Sequence, residues 1–211
     1  MESKTLKVII LVGLPLSGKS THARILEKEE NIPLVETGTF VYKAVEERGL
    51  EATPENIVKV AGECKAQSDS YFTERALEYI EENYNDRPVV FLSGVKAKSE
   101  VDLLKNKLGD KNVFIVSFHA SRETRHGRLQ NKDRMEASKA QGEGKLTEDI
   151  AMANDISRFD LRDNKELSYG LGNLIALADY VINTEDKRWP FNNAETTLKQ
   201  FKEVIAEIKN S

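Results

Sequence analysis

The stretch Gly13-Leu14-Pro15-Leu16-Ser17-Gly18-Lys19-Ser20 fits the pattern G-x-x-x-x-G-K-[ST]. The apolar run Leu6-Lys7-Val8-Ile9-Ile10-Leu11-Val12 precedes it and reads as a buried strand, and a helical pattern follows at once. A strand that ends in a glycine-rich turn and opens a helix aims several backbone N–H groups at one small volume, together with the positive end of the helix dipole. That volume suits a polyphosphate. Lys19 adds a full positive charge for the β- and γ-phosphates, and the Ser20 hydroxyl is placed to bind Mg²⁺. Pro15 removes only its own N–H from the cradle. Residues Gly13, Leu14, Pro15, Leu16, Ser17, Gly18, Lys19, Ser20 and Thr21 are thus the expected ATP-binding set, with Lys19 also catalytic and Ser20 the metal ligand.

Outward from this loop, apolar periodicity alternates between strand and helix. Helix one is expected over about 19–29, and a second short strand at Ile32–Glu36 ends in a turn at Thr37-Gly38-Thr39. Helical sequence dominates from about 40 to 83. Thr53-Pro54 starts a helix within it, because Thr can cap and Pro fits the first helical position. Ile57, Val60, Ala61 and Cys64 make its buried face. A third strand is expected at Val89–Leu92 and a fourth at Val113–Phe118. Between them, Ser99 starts a helix with Val101, Leu104 and Leu108 inward, and Gly109 stops it. A helix over about 122–130 leads into a polar excursion at 131–146. A helix resumes near Thr147 with Met152, Ile156 and Phe159 on one side. A fifth strand closes near Ile182, and a last amphipathic helix carries Leu198, Phe201, Ile205 and Ile208. Strands alternating with helices imply an α/β fold with a five-stranded parallel sheet covered on both faces. The loop at 13–20 then lies at the carboxyl edge of the strands, where ligands of such sheets bind.

Composition agrees with a globular protein: 211 residues, 39% hydrophobic and 31% charged, with a formal net charge of −4. Nothing global suggests nucleic-acid binding through phosphate neutralisation. No run of 18 apolar residues exists, so no membrane span is expected, and the absence of a signal-peptide profile points to a cytoplasmic protein. The single cysteine, Cys64, reads as a small buried residue. His22, His119 and His126 are too scattered for a zinc motif, and Gly-x-Ser-x-Gly is absent.

Further motifs carry a family resemblance over roughly residues 6–184. They are Val35-Glu36-Thr37-Gly38, Arg48–Asn56, Lys59–Glu63, His119-Ala120-Ser121, Leu161–Leu167 and Gly170–Tyr180. With the phosphate loop they resemble the nucleoside monophosphate kinase superfamily, closest to its adenylate-kinase-related, dephospho-CoA-kinase-like branch. The resemblance implies a P-loop kinase-like domain with a helical acceptor-binding insertion at 39–86 and a lid at 131–146; residues 186–211 lie outside the match and read as a C-terminal helix packed on it, which makes one domain of 1–211. It implies transfer of the γ-phosphoryl of ATP, with Mg²⁺, to a phosphate or hydroxyl on a second small molecule, a small phosphorylated acceptor such as a nucleoside monophosphate or a related compound, catalysed mainly by positioning and charge. The family's lid cations match Arg128 and Lys132, then Arg158 and Arg162; Arg128 and Arg162 are the expected catalytic pair, and Lys132 and Arg158 are expected on ATP. The segment 121–145 holds seven Lys or Arg against four Asp or Glu, so it is locally basic. Arg125 shares a helix face with Arg128 and reads as a surface residue. On the acceptor side the matching positions are Thr37, Gly38, Lys43 and Lys96.

Two departures bear on activity. The family follows Thr-Gly with Asp and then Arg, where this chain has Thr39 and Tyr42. The family also ends the third strand with Asp-Gly, then Arg two residues on, where this chain has Ser93-Gly94-Val95-Lys96. Ser93 removes a negative charge from beside the metal, and Glu36 at the tip of the neighbouring strand is the candidate replacement. Lys96 keeps the charge of Arg without its two-pronged geometry. Two functions stay open: a working small-molecule kinase, or a nucleotide-binding regulatory module with weak or lost transfer. The acceptor also stays open among an adenine nucleotide, another nucleoside monophosphate and dephospho-CoA.

Overall fold

The computed structural model describes residues 6–131, 135, 136, 139 and 143–211, with backbone alone at 143–148. Five strands form one sheet: β1 (Lys7–Val12), β2 (Leu34–Glu36), β3 (Val89–Ser93), β4 (Val113–His119) and β5 (Tyr180–Asn183), in the order β2-β3-β1-β4-β5. Every pairing is parallel. The central strand β1 is hydrophobic without alternation, because a parallel strand covered on both faces has no wet side. Val8 to Val12 are all buried.

The two-residue period of β1 divides the core. Val8, Ile10 and Val12 face a cluster with Val60, Leu77, Leu104 and Leu174. These come from α3 (Pro54–Gln67), α4 (Tyr71–Asn83), α5 (Lys98–Leu108) and α9 (Leu171–Ala176). Ile9 and Leu11 face the other side, where α1 (Lys19–Glu30) supplies Ala23 and Leu26, and α10 (Ala194–Asn210) supplies Phe201, Ile205 and Ile208. A small third cluster joins Leu129, Met152 and Phe159. It sits among α6 (Arg122–Gly127), its 3₁₀ extension Arg128–Gln130, α7 (Glu143–Asn154) and α8 (Ile156–Ser168).

Local chemistry sets the helix starts, and it corrects four expectations. Thr53 caps α3 as expected, accepting from Asn56 N at 3.2 Å. Thr37-Gly38-Thr39 is not a turn but the first turn of α2 (Thr37–Glu47). Ser99 does not start α5; that helix begins at Lys98 after Ala97, which has no side-chain acceptor. Glu100 serves instead, accepting from Lys96 N at 2.8 Å, Ala97 N at 2.9 Å and Thr73 Oγ1 at 2.6 Å. The helix expected near Thr147 starts earlier, at Glu143, and does not run through Phe159. Asp155 leaves helical geometry at φ −136° and accepts from Ser157 N at 2.9 Å, so it ends α7 and caps α8. Ile156 is therefore exposed while Met152 and Phe159 are buried.

Phe201 links the two layers on its side, 5.3 Å from the ring of Phe91 and 5.0 Å from that of Phe118. Phe201→Ala is expected to cost about 3–5 kcal/mol of unfolding free energy in urea titration, whereas Trp189→Ala at an 87% exposed position should cost less than about 0.5 kcal/mol.

Candidate functional site

The loop after β1 owes its shape to three backbone positions. Gly13 has φ 145°, and a Cβ there would lie 2.5 Å from Phe118 O and 2.6 Å from Ser17 Oγ, so no side chain fits. Gly18 has φ 92°, immediately before Lys19 opens α1. Leu16 takes φ 67° with a side chain present, a conformation that costs about 1–2 kcal/mol. The loop is gripped to match. Arg128 Nη1 donates to Leu16 O at 2.9 Å and Arg125 Nη1 to Pro15 O at 3.1 Å, while the Leu16 side chain packs on the Leu129–Met152–Phe159 cluster. Ser17 Oγ is buried with no hydrogen-bond partner.

This loop forms one wall of a cleft of about 870 Å³. Lys19, Ser20 and Thr21 line it from α1, Lys96 from the β3–α5 loop, Arg128 from the 3₁₀ turn, and Arg162 and Glu166 from α8. Burial lowers the Lys19 ammonium below its ordinary value; Glu36 and Glu166 partly restore it, and Arg162 and Lys96 lower it further. An ammonium short of water and without a carboxylate in contact is a strong partner for an incoming polyanion. Thr184, Asp186, Asn192 and Asn193, between β5 and α10, also line the cleft, and Thr184 Oγ1 donates to Ser17 O of the loop at 2.7 Å.

Two side chains fasten the walls together. Arg125 is 4% exposed and meets Asp163 of α8 in a two-pronged pair at 2.9 and 2.6 Å. Arg125 is thus no surface residue: Asp163 stands 38 positions on, and the pair needs the α6–α8 packing to form. Glu185 accepts from Thr124 Oγ1, from Ser121 N at 2.7 Å and from Lys187 N at 3.0 Å. Burial pushes its carboxyl up, but those donors together outweigh burial and hold it at about 2.

A family profile described as an AAA domain matches residues 9–151. A UPF0200 protein of Methanococcus vannielii is 34% identical over 199 residues, spanning 92% of this chain and 96% of that one. The chain belongs to the UPF0200 family of AAA-domain proteins. A second UPF0200 protein, from Thermococcus sibiricus, is 32% identical over 179 residues, covering 84% of this chain and 86% of its own. In fold the UPF0200 chain is a P-loop kinase-like protein, as the nucleoside monophosphate kinase resemblance implies. It superposes on shikimate kinase from Acinetobacter baumannii in complex with shikimate with a TM-score of 0.53 at 16% identity, covering 97% of this chain and 95% of that one. A sugar kinase from Janibacter gives a TM-score of 0.50 at 15% identity, covering 95% of each chain.

The UPF0200 fold brings Gly13–Thr21, Lys96, Arg128 and Arg162 to one cleft, with Leu14 just behind its lining residues. Other expected residues fall elsewhere. Arg158 is not at the cleft; it lies in the first turn of α8, exposed, 3.6 Å from the capping Asp155. Lys132 lies outside the described residues. Thr37 is buried against Gly94, where a Cβ would approach its Oγ1 to 2.2 Å, so it braces the end of β3. Gly38 faces open space. Lys43 is not among the cleft-lining residues; its ammonium lies 5.1 Å over Phe40 and 4.8 Å over Tyr79. Ser93 is buried in register with Glu36. Sequence reading missed Glu166, although its spacing of four from Arg162 puts both on one helix face. It also missed Asn192 and Asn193, which reach the cleft only because α10 returns beside α1.

Arg125→Leu is expected to destabilise by about 3–5 kcal/mol in urea unfolding, since it strands the buried Asp163. Adding Asp163→Leu should recover most of that loss, and the shortfall measures the contact with Pro15 O. Glu185 predicts a pH effect of fixed sign. Its folded value of about 2 lies below the ordinary 4.5, so its stabilisation is complete above pH 4.5 and lost as pH falls toward 2. Glu185→Gln should flatten the stability-versus-pH curve across that window, as read by thermal melts from pH 2 to 6.

Proposed function

We propose that the protein binds Mg·ATP on the loop at 13–20 and transfers the γ-phosphoryl group to a small acceptor held between the β3–α5 loop and α8. The observation that carries this reading is the strand–loop–helix cradle with Lys19 and Ser20 at the mouth of a cleft sized for a nucleotide. We read 1–211 as one kinase-like domain, acting in the cytoplasm, with its acceptor helices at 39–86, its lid at 131–146 and its closing helix at 186–211.

The residues present fit the metal. A Cβ would fill the cradle at Gly13, and the Ser20 hydroxyl lines the cleft. Among the described residues no group of three or more His, Cys, Asp or Glu is arranged to hold a metal alone. Ser20 and the carboxylate of Glu36 would hold Mg²⁺ together with phosphate oxygens, and the ion would neutralise charge on the β- and γ-phosphates. Loop amides orient the phosphate tail, and Lys19 adds charge where the transferred group becomes more anionic. Arg162 faces the same volume from α8. Arg128 already donates to the carbonyls of Leu16 and Thr184, so its part is to hold the loop. Placing these groups before reaction removes the cost of arranging them during it.

One observation favours the second reading, a nucleotide-binding module with weak transfer. Ser93 is buried at the end of β3 and brings no carboxylate there. A single experiment separates ATP binding from both failures. Lys19→Ala should weaken Mg·ATP binding at least tenfold in calorimetry while leaving the melting temperature of the free protein unchanged or higher, because burial disfavours the Lys19 charge. Unchanged affinity refutes the cradle.

A further inference from the structure

The cations that line the cleft are, with one exception, already matched. Arg24 has Glu36 at 3.6 Å, Lys96 has Glu166 at 2.8 Å, Arg128 has Asp186 at 3.3 Å and Arg162 has Asp149 at 3.9 Å. Lys19 alone among the described lining residues has no carboxylate within 4 Å, and it belongs to the phosphate loop. Among the described lining residues the cleft is therefore charged for one polyanion, at the loop, and not for a second phosphate on the acceptor side.

The acceptor side holds a carboxylate instead. Glu166 and Lys96 both line the cleft, and the Lys96 ammonium meets both oxygens of Glu166, at 3.0 and 2.8 Å. The pair is anchored below: Lys96 Nζ lies 5.0 Å over the Tyr169 ring, and Lys65 Nζ lies 5.4 Å over the same ring. Arg162, four residues before Glu166, lines the same cleft, and Lys19 feels both charges, Glu166 more than Arg162. So α8 presents a cation and an anion to the volume beside the phosphate loop. An acceptor phosphate would have to displace Glu166 from Lys96 and then sit beside it, like charge against like. A neutral hydroxyl needs the opposite environment, an oxygen able to take its proton. An ionised carboxylate has about four lone-pair sites, so contact with Lys96 leaves Glu166 capacity to accept another hydrogen bond.

Resting on the kinase reading above, we propose that the acceptor is a neutral hydroxyl compound and that Glu166 receives its proton. The hydroxyl oxygen forms the new bond to the γ-phosphorus. The bond from that phosphorus to the β,γ-bridging oxygen breaks, and ADP leaves with the electron pair. The hydroxyl proton passes to a Glu166 carboxylate oxygen and then to solvent. Lys96 holds that carboxylate in place, and Lys19, Arg162, Lys65 and Tyr169 are the other titratable or charged groups around it.

The test uses the whole chain with two probes. With the loop filled by Mg²⁺ and a non-hydrolysable ATP analogue, calorimetry with millimolar AMP or inorganic phosphate should show no saturable binding to the parent protein. Glu166→Gln frees Lys96, so it should raise affinity for those anions at least about tenfold. With Mg·ATP and either water or concentrated glycerol as the hydroxyl probe, ADP release should show an acid-side fall in kcat as the carboxylate protonates. Glu166→Gln should lower that kcat roughly 100-fold and abolish the acid-side fall, with no loss of ATP affinity. Saturable AMP binding to the parent protein overturns the proposal. So does an unaltered pH profile in the variant, and so does ATP that binds but yields no ADP with either hydroxyl probe. If Mg·ATP itself does not bind, the kinase reading falls first and this proposal with it. If ATP binds through Lys19 and only the acceptor results fail, the kinase reading stands and the hydroxyl acceptor alone is refuted.

Discussion

Arg125 divides its guanidinium between Asp163 on α8 and the carbonyl of Pro15 in the phosphate loop. The packing of Leu16 on the cluster that holds Phe159 joins the same two elements through apolar contact. The loop holds a leucine at positive φ and a buried serine hydroxyl without a partner, so on its own it has reason to relax. A buried, two-pronged pair leaves little freedom, because separating it would strand both charges away from water. Asp163 is flanked on the same helix by Arg162 and Glu166. Fixing Asp163 therefore fixes where those two side chains stand relative to Lys19. Loop geometry and the position of the opposite cleft wall are set by one contact.

The same economy explains the arginines at 122, 125 and 128, the described start of the basic segment. These three arginines are committed to the fold. Arg122 meets Asp160 at 2.6 Å, Arg125 meets Asp163, and Arg128 meets Thr184, Leu16 and Asp186. Arg122 and Arg125 repeat every three residues, and so do Asp160 and Asp163, so two helices carry matching charge rows. An excess of local charge in sequence became helix-to-helix adhesion in space.

What could be read from the chain beforehand follows the range of the interactions involved. The phosphate loop, the buried strand β1 and the cap at Thr53 depend on neighbours within a few residues, and all three were legible. The alternation of Val8, Ile10 and Val12 with Ile9 and Leu11 needed only the strand period to assign two faces. Ser99 misled because it is a good cap by type, while the helix start is fixed by Glu100, which reaches back from inside the helix to the amides of Lys96 and Ala97 and accepts from Thr73, 27 positions away. The break at Asp155 was hidden because the apolar spacing of Met152, Ile156 and Phe159 continues across it. Arg125 and Glu166 were misjudged or missed because their partners, Asp163 and Lys96, lie 38 and 70 positions away. Local pattern sees none of that.

The segment after residue 151 lies beyond the matched AAA-domain stretch, yet α10 belongs to the heart of the protein. Phe201, Ile205 and Ile208 close the sheet face beneath Ile9 and Leu11, on the side that α1 covers only in part. Asn192 and Asn193 meanwhile form the rim of the cleft. The smallest autonomous unit is thus longer than its recognisable signature. A fragment trimmed to the signature would leave a greasy flank open to water and self-association, and would lose part of the pocket it was meant to isolate.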